Sequence, residues 1–308
     1  MKIHHGIANF HSSKPVILTS GTFDGVHLGH QKMLAKLIAE AKESNNESVL
    51  LTFYPHPRMF LHPDDHGLKL LSSPEEKYSL LEKMGIDHVV VQPFDDVFSS
   101  ITAHRYIRDI LVNQLGVKKI IAGYDHRFGK NREGNYDVLV ETGAIFGFDV
   151  IQISAKELED VKISSTKIRN ALFNGEIDVA EKYLGRKYSI EGKVVEGKKL
   201  GSQLGFPTAN INVDYDYKLI PKNGVYAVIA FVENQKIKGM LNIGTSPTVS
   251  NSNKVSIEVH LINWKGNIYD KTIRIEFVKR LRDEKKFESK PDLIKQLNLD
   301  KQDTLEIL

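Results

Sequence analysis

Between residues 15 and 153, short continuous apolar runs alternate with segments of helical periodicity, and this alternation restricts the fold more than any other feature of the chain. Residues 15–20, 48–53, 87–91, 117–122 and 149–153 are β-prone and apolar on both faces. Between them, residues 31–42 place Met33, Leu34, Leu37, Ile38 and Ala41 at helical spacing. Ser73, Pro74, Glu75 and Glu76 start a second helix with a polar cap, an early proline and acids in the first turn. Residues 103–115 and 135–146 read as two more helices, the last closed by Gly147. Strands buried on both faces and separated by helices predict a parallel α/β sheet of Rossmann-like type. Ligands of such sheets bind beyond the carboxyl ends of the strands.

The second half follows a different rule. Residues 188–195, 225–232, 236–243, 255–261 and 271–278 are short β-prone runs separated by glycine or asparagine turns, which predicts an antiparallel barrel or sandwich. Residues 287–297 read as a closing helix. Charge changes at the same place. Residues 1–184 carry 21 basic and 24 acidic groups, and residues 185–308 carry 21 and 15, so the halves are −3 and +6. Domains of 1–184 and 185–308 are expected on both grounds.

Composition removes several chemistries. With no cysteine, the chain has no disulfide, zinc-thiolate site or thiol nucleophile. Residues 1–10 lack the apolar core of a signal peptide, and no run of about 18 apolar residues predicts a membrane span. A cytoplasmic protein without membrane or nucleic-acid partners is expected, since a formal charge of +3 is small for a DNA-coating protein.

The densest chemistry lies in residues 21–30, Gly-Thr-Phe-Asp-Gly-Val-His-Leu-Gly-His, which join the first strand to the first helix. Glycines there let backbone N–H groups approach an anion, and a helix N-terminus adds favourable partial charge. His27 and His30 can donate to phosphate oxygens where charge develops. The segment is neither G-x-x-x-x-G-K-[ST] nor G-x-G-x-x-G.

With these residues the chain resembles nucleotidylyltransferases of the H-x-G-H superfamily, and more narrowly the bifunctional bacterial riboflavin kinase/FAD synthetases. Residues 52–57 match that family's T-F-x-P-H-P, residues 123–129 its G-x-D/N-x-x-F-G, and residues 163–169 its I-S-S-T-x-I-R. The resemblance implies that His27 and His30 hold the ATP phosphates, within a loop that includes Gly21, Phe23, Asp24, Gly25 and Gly29. It implies a triphosphate clamp of Ser164, Ser165, Thr166 and Arg169, and a nucleotide or FMN site with Asp125 and Phe128. Asp24 either acts on magnesium or orients the loop; His56 is either a phosphate ligand or a turn residue.

In the second half, Gly197, Gly201 and Gly205 lead into Phe206-Pro207-Thr208-Ala209-Asn210, similar to the riboflavin kinase signature G-F-P-T-A-N. Residues 219–226 and 242–248 match two further kinase elements. Thr208 and Asn210 are the implied Mg2+ ligands, and Glu258 the implied base for the ribityl hydroxyl. Read only as part of an alternating strand, Glu258 is equally a solvent-facing residue. Arg282 either shapes the flavin pocket or ties a loop to a carboxylate. Two departures stand out. Ser202 occupies a position where many members carry arginine, leaving Lys198 or Lys199 to supply charge nearby. His126 replaces a frequent aromatic, which introduces a titratable ring.

The implied activity is bifunctional. Riboflavin is phosphorylated by Mg-ATP to FMN, and FMN is then adenylylated to FAD with release of pyrophosphate. The rivals are an H-x-G-H transferase acting on a nicotinamide or phosphopantetheine nucleotide, and a flavin- or nucleic-acid-binding regulator. Head-to-tail homo-oligomerisation stays open.

Overall fold

The computed structural model describes residues 1–62, 67–154, 163–197, 200–233, 235–247 and 253–308. Lys198, Lys199 and Thr248, which were singled out above, lie outside the described residues, as does the side chain of Ser202. The chain divides into two compact units, Met1–Ser165 and Thr166–Leu308.

The first unit is a six-stranded sheet: β1 (Lys2–His5), β2 (Val16–Ser20), β3 (Glu47–Tyr54), β4 (His88–Pro93), β5 (Val117–Gly123) and β6 (Asp149–Ile153). The order is β1-β4-β3-β2-β5-β6, parallel throughout. Its helices are α1 (Leu28–Glu43), α2 (Pro57–Leu61), α3 (Pro74–Met84), α4 (Asp96–Ser99), α5 (Ala103–Arg105, running on as a π-helical stretch Tyr106–Gln114) and α6 (Tyr136–Phe146). All five residues of β2 are buried, because both of its faces are covered. Leu18, Val49, Leu51 and Val90 belong to one core, and Ile17, Leu50, Val89 and Ile121 to the other. The expected start of α3 is a complete capping box between Ser73 and Glu76. β1 carries no strand signal in the sequence. It is largely exposed and exists through its parallel pairing with His88–Val91 at the sheet edge.

The second unit holds α7 (Ser165–Asn174, whose first residue closes the first unit), α8 (Ile177–Leu184) and α9 (Leu200–Gln203). Its strands are β7 (Ser189–Val195), β8 (Ala209–Asn212), β9 (Gly224–Val232), β10 (Gln235–Pro247), β11 (Asn253–Leu261) and β12 (Thr272–Arg282). They close into an antiparallel barrel in the order β10-β11-β8-β7-β12-β9. In β7, Ile190, Gly192 and Val194 are buried between exposed Glu191, Lys193 and Val195, the alternation of a strand with one face in a core. Of the barrel and sandwich expected from the sequence, the barrel is formed. It needs β8, a four-residue strand that the turn-like P-T-A-N disguises in the sequence. The closing helix α10 (Lys290–Ile307) is capped by Ser289 and runs ten residues past its expected end.

Candidate active sites

The loop after β2 is held in a backbone few residues accept. Phe23, Gly25 and Val26 have φ of 48°, 78° and 37°. A β-branched residue there is strained, and strain of this kind persists only where the surroundings impose it. At Gly25 a Cβ would lie 2.7 Å from Leu71, so glycine is required twice over. Buried Asp24 supplies part of the constraint. Its carboxylate accepts the backbone N–H of Leu71 at 2.9 and 3.1 Å and that of Ser72 at 3.3 Å. These contacts hold the loop to the segment before α3.

The loop delivers two histidines side by side. His27 caps α1, its Nδ1 accepting the backbone N–H of His30 at 3.3 Å. A neutral His27 therefore carries its proton on Nε2. The His27 and His30 rings stack with centroids 3.6 Å apart, and the Phe23 ring lies 4.6 Å from His30. Burial, then the charges of His27 and Lys77, hold His30 well below the ordinary histidine pKa, so it is a neutral hydrogen-bonding group at pH 7. Its buried Nδ1 has no partner among the described residues. Ser165 donates to the Asp24 carbonyl at 3.0 Å and joins the S-S-T segment to this loop. Ser164 and Thr166 are exposed; Arg169, four residues beyond Ser165 in α7, is buried.

Beside this loop lies a cavity of about 870 Å³. Ser20, Gly21 and Thr22 form one wall, and Phe53, Phe98, Tyr106 and Phe128 give it aromatic surface. Phe128 is placed there by a short bridge to Gly134 and packs 5.3 Å from Tyr106. His126 lines the same cavity, its ring stacked 5.6 Å from Phe128 and its Nε2 3.5 Å from Ser20 Oγ. Burial pulls His126 down to about 4, against the influence of Asp125, so the ring is uncharged near neutral pH. His56 both lines the cavity and caps α2 by accepting from the Arg58 backbone N–H at 3.1 Å. Asp125 is exposed and does not line this cavity.

In the barrel, Glu258 and Asn210 are direct partners across β11 and β8, so their side chains share one face. Thr208 Oγ1 donates to Glu258 Oε2 at 3.2 Å. Alternation along β11 puts Glu258 and His260 in a cavity of about 360 Å³, and Val259 and Leu261 in another of about 480 Å³. Thr208 lines both. The first cavity is roofed by α10 through Leu293, Leu297 and Asp300, which removes Glu258 from the solvent-facing role its strand position allowed. Gly201 also lines it; a Cβ there would lie 2.3 Å from the Phe206 carbonyl oxygen. Of the roles open to Arg282, the tie to a carboxylate is the one its contacts show. Arg282 lines this cavity and donates to buried Asp300 from Nε at 2.8 Å and from an Nη at 2.7 Å.

Comparison with known proteins agrees with this division. The FAD synthetase family model matches residues 9–167 and the riboflavin kinase family model residues 184–308. Proteins named bifunctional riboflavin kinase/FMN adenylyltransferase are 40% identical in Buchnera aphidicola subsp. Schizaphis graminum and 36% identical in Escherichia coli (strain K12). Each match covers 97% of this chain and 96% of the relative. The chain belongs to this bifunctional family. A member from Bacillus subtilis (strain 168) is 35% identical over 94% of the chain and 91% of its own length. A crystal structure named Macrolide-efflux Protein from Streptococcus pneumoniae is 29% identical, covers 98% of both chains and superposes with a TM-score of 0.89. Among the described residues of this chain, no helix is long and apolar enough to cross a membrane.

Sequence reasoning within the bifunctional family missed several residues that the structure brings into these sites. Tyr106 is fully buried in a segment whose apolar periodicity reads only as core, yet it lines the aromatic cavity. Burial raises its phenol to about 12. His260 donates from, or accepts at, Nδ1 against the Pro207 carbonyl at 2.8 Å; a backbone carbonyl only accepts, so the imidazole is the donor. His260 thus braces the residue before Thr208, and its spacing of two from Glu258 was the available signal. Lys77, one turn into α3, donates to Thr52 Oγ1 and to the Thr22 carbonyl.

Proposed function

We propose that the barrel transfers the γ-phosphoryl group of ATP to the ribityl 5′-hydroxyl of riboflavin, with Glu258 as the base. The observation that carries this reading is the Thr208–Glu258 hydrogen bond at the wall shared by two cavities. A phosphoryl acceptor beside Glu258 and a nucleotide on the far side of Thr208 would meet across that wall. Glu258 takes the hydroxyl proton as the new O–P bond forms and the bond to the ADP oxygen breaks. The Thr208 hydroxyl and the Asn210 amide oxygen, opposite the Glu258 carboxylate, form the all-oxygen donor set that suits Mg2+. A Mg2+ ion bound there would neutralise phosphate charge. Arg282, fixed by Asp300, gives the flavin side of the cavity a rigid wall.

In the α/β unit we assign adenylyl transfer from ATP to FMN. An FMN phosphate oxygen attacks the α-phosphorus, and the bond to the pyrophosphate oxygen breaks. The nucleophile is already an anion, so no base is required. His27 and His30 serve as hydrogen-bond donors to the phosphates, pre-positioned by the strained loop. Ser164 and Ser165 complete the phosphate contacts. The aromatic cavity beside the loop accommodates the isoalloxazine ring, with Phe128 in its wall. The boundary between activities is placed at 184/185, supported by the start of the kinase match and by the change of charge, although α7 and α8 pack with the second unit. Use of ATP in both steps supports a cytoplasmic setting.

Chromatography after incubation with riboflavin, ATP and magnesium tests the whole reading. FMN and FAD are expected in sequence; formation of neither overturns it. A parallel incubation with FMN isolates the second step.

A further inference from the structure

The Lys77 ammonium is hydrogen-bonded to neutral groups at the carboxyl ends of β2 and β3. It donates to Thr52 Oγ1 at 3.2 Å and to the Thr22 carbonyl at 3.4 Å. Thr52 Oγ1 donates in turn to the same carbonyl at 3.2 Å, so the three groups form a closed cluster. Thr52 is near the carboxyl end of β3, and Thr22 follows β2, its neighbour in the sheet. An ammonium has three N–H donors, and these contacts use two. The carboxylate that acts on it is Asp24, which forms no ion pair with Lys77 and is engaged by the backbone of Leu71 and Ser72. Burial lowers Lys77 to about 8, and its field in turn helps to keep His30 neutral. A desolvated cation without an ion pair is costly for a fold to retain unless an anion completes it. Here the cation shares an electrostatic neighbourhood with the His27–His30 pair and lies beyond the ends of parallel strands, where anionic ligands bind.

We propose that Lys77 is a phosphate-binding residue of the adenylyl-transfer site, giving its third N–H to the part of the ATP triphosphate that departs as pyrophosphate. The inference rests on the adenylyl-transfer reading of this unit. As the bond from the α-phosphorus to the bridging oxygen breaks, negative charge grows on pyrophosphate and the ammonium hydrogen bond strengthens. The lysine keeps its proton throughout. Arginine can restore the charge but not the compact geometry, so Lys77→Arg should recover only part of the function.

The test uses the full chain. Lys77→Met keeps the aliphatic stem and removes the charge. With FMN supplied, kcat/KM for ATP in FAD formation should fall about 10- to 100-fold, and inhibition by inorganic pyrophosphate should weaken by a similar factor. Riboflavin phosphorylation by the same preparation should stay within about twofold, since the kinase site lies in the other unit. If Lys77→Met lowers thermal stability while leaving the ATP KM and pyrophosphate inhibition unchanged, Lys77 only fastens β2 to β3 and the proposal is wrong. A wild-type experiment guards against a misfolded variant. Lys77 should be acetylated by acetic anhydride, read by peptide mass spectrometry, about tenfold more slowly with saturating pyrophosphate. No protection overturns the proposal. Failure of the wild type to make FAD from FMN and ATP would instead remove the reading on which it rests.

Discussion

The two units handle the same group, the phosphates of ATP, with opposite local chemistry. The α/β unit gathers nitrogen groups, His27, His30 and Lys77, at the ends of parallel strands. The barrel presents a carboxylate, Glu258, bonded to Thr208 and opposite Asn210. The nucleophiles account for the difference. A ribityl hydroxyl must lose a proton to attack, so its site needs a base. A phosphate oxygen is already anionic, so its site needs donors that tolerate charge growing on the leaving group. Rigidity follows the same division. The two histidines are positioned by a loop with Val26 at φ 37°, whereas Glu258 sits on a regular strand whose neighbours already set its position.

The sharpest way to break this comparison is to remove the base. Glu258→Gln should lower FMN formation from riboflavin about 1,000-fold while FAD formation from supplied FMN is preserved, as initial rates of each half-reaction will show. Equal loss in both halves would mean that the sites are not independent. The reciprocal change, His30→Ala, should lower FAD formation about 100-fold and spare the kinase.

A third change probes how the barrel site is held together. Arg282→Met leaves Asp300 buried without its guanidinium, and should destabilise the second unit by about 3 kcal/mol in urea unfolding. Arg282→Met with Asp300→Leu should recover much of that loss, because no charge is then stranded.

The smallest effect concerns His126. Burial lowers its pKa to about 4 in the folded unit, against 6.5 for the free side chain. Above pH 6.5 both states are neutral. As pH falls from 6.5 towards 4, the unfolded chain binds a proton that the native ring resists, and stability is lost. His126→Phe should flatten the dependence of the first unit's urea midpoint on pH across that window, by at most about 1.4 kcal/mol per pH unit. Between pH 7 and 8 the wild type and variant should respond to pH alike, so the titratable ring flagged in the sequence does not act as a switch near neutrality.

Much of the architecture was legible because it depends on short-range pattern. Strands covered on both faces are apolar throughout, as Val16–Ser20 is, and a capping box is written in four consecutive residues at Ser73–Glu76. Elements that depend on partners were not legible. β1 is polar, exposed and four residues long, and only pairing with β4 makes it a strand. β8 hides in a turn-like motif until Asn210 meets Glu258. Among the candidate site residues, His27, His30, Thr208 and Glu258 lie in motifs whose local order the fold preserves. Tyr106 and Lys77 were missed because a buried aromatic and a helix lysine carry no local mark of what lies opposite them.

Taken alone, the sequence determined the α/β half, the β-rich half and the order of the phosphate motifs, because periodicity and turn chemistry act over a few residues. Tertiary structure decided which polar groups lost their water. It placed α10 over the outer wall of the barrel, so that Glu258 faces a cavity and not solvent. It also set the Lys77 ammonium against Thr22 and Thr52, with no ion pair among the described residues. Desolvation and the pairing of charges depend on atoms that are neighbours in space but distant along the chain, and that is the information a linear pattern does not contain.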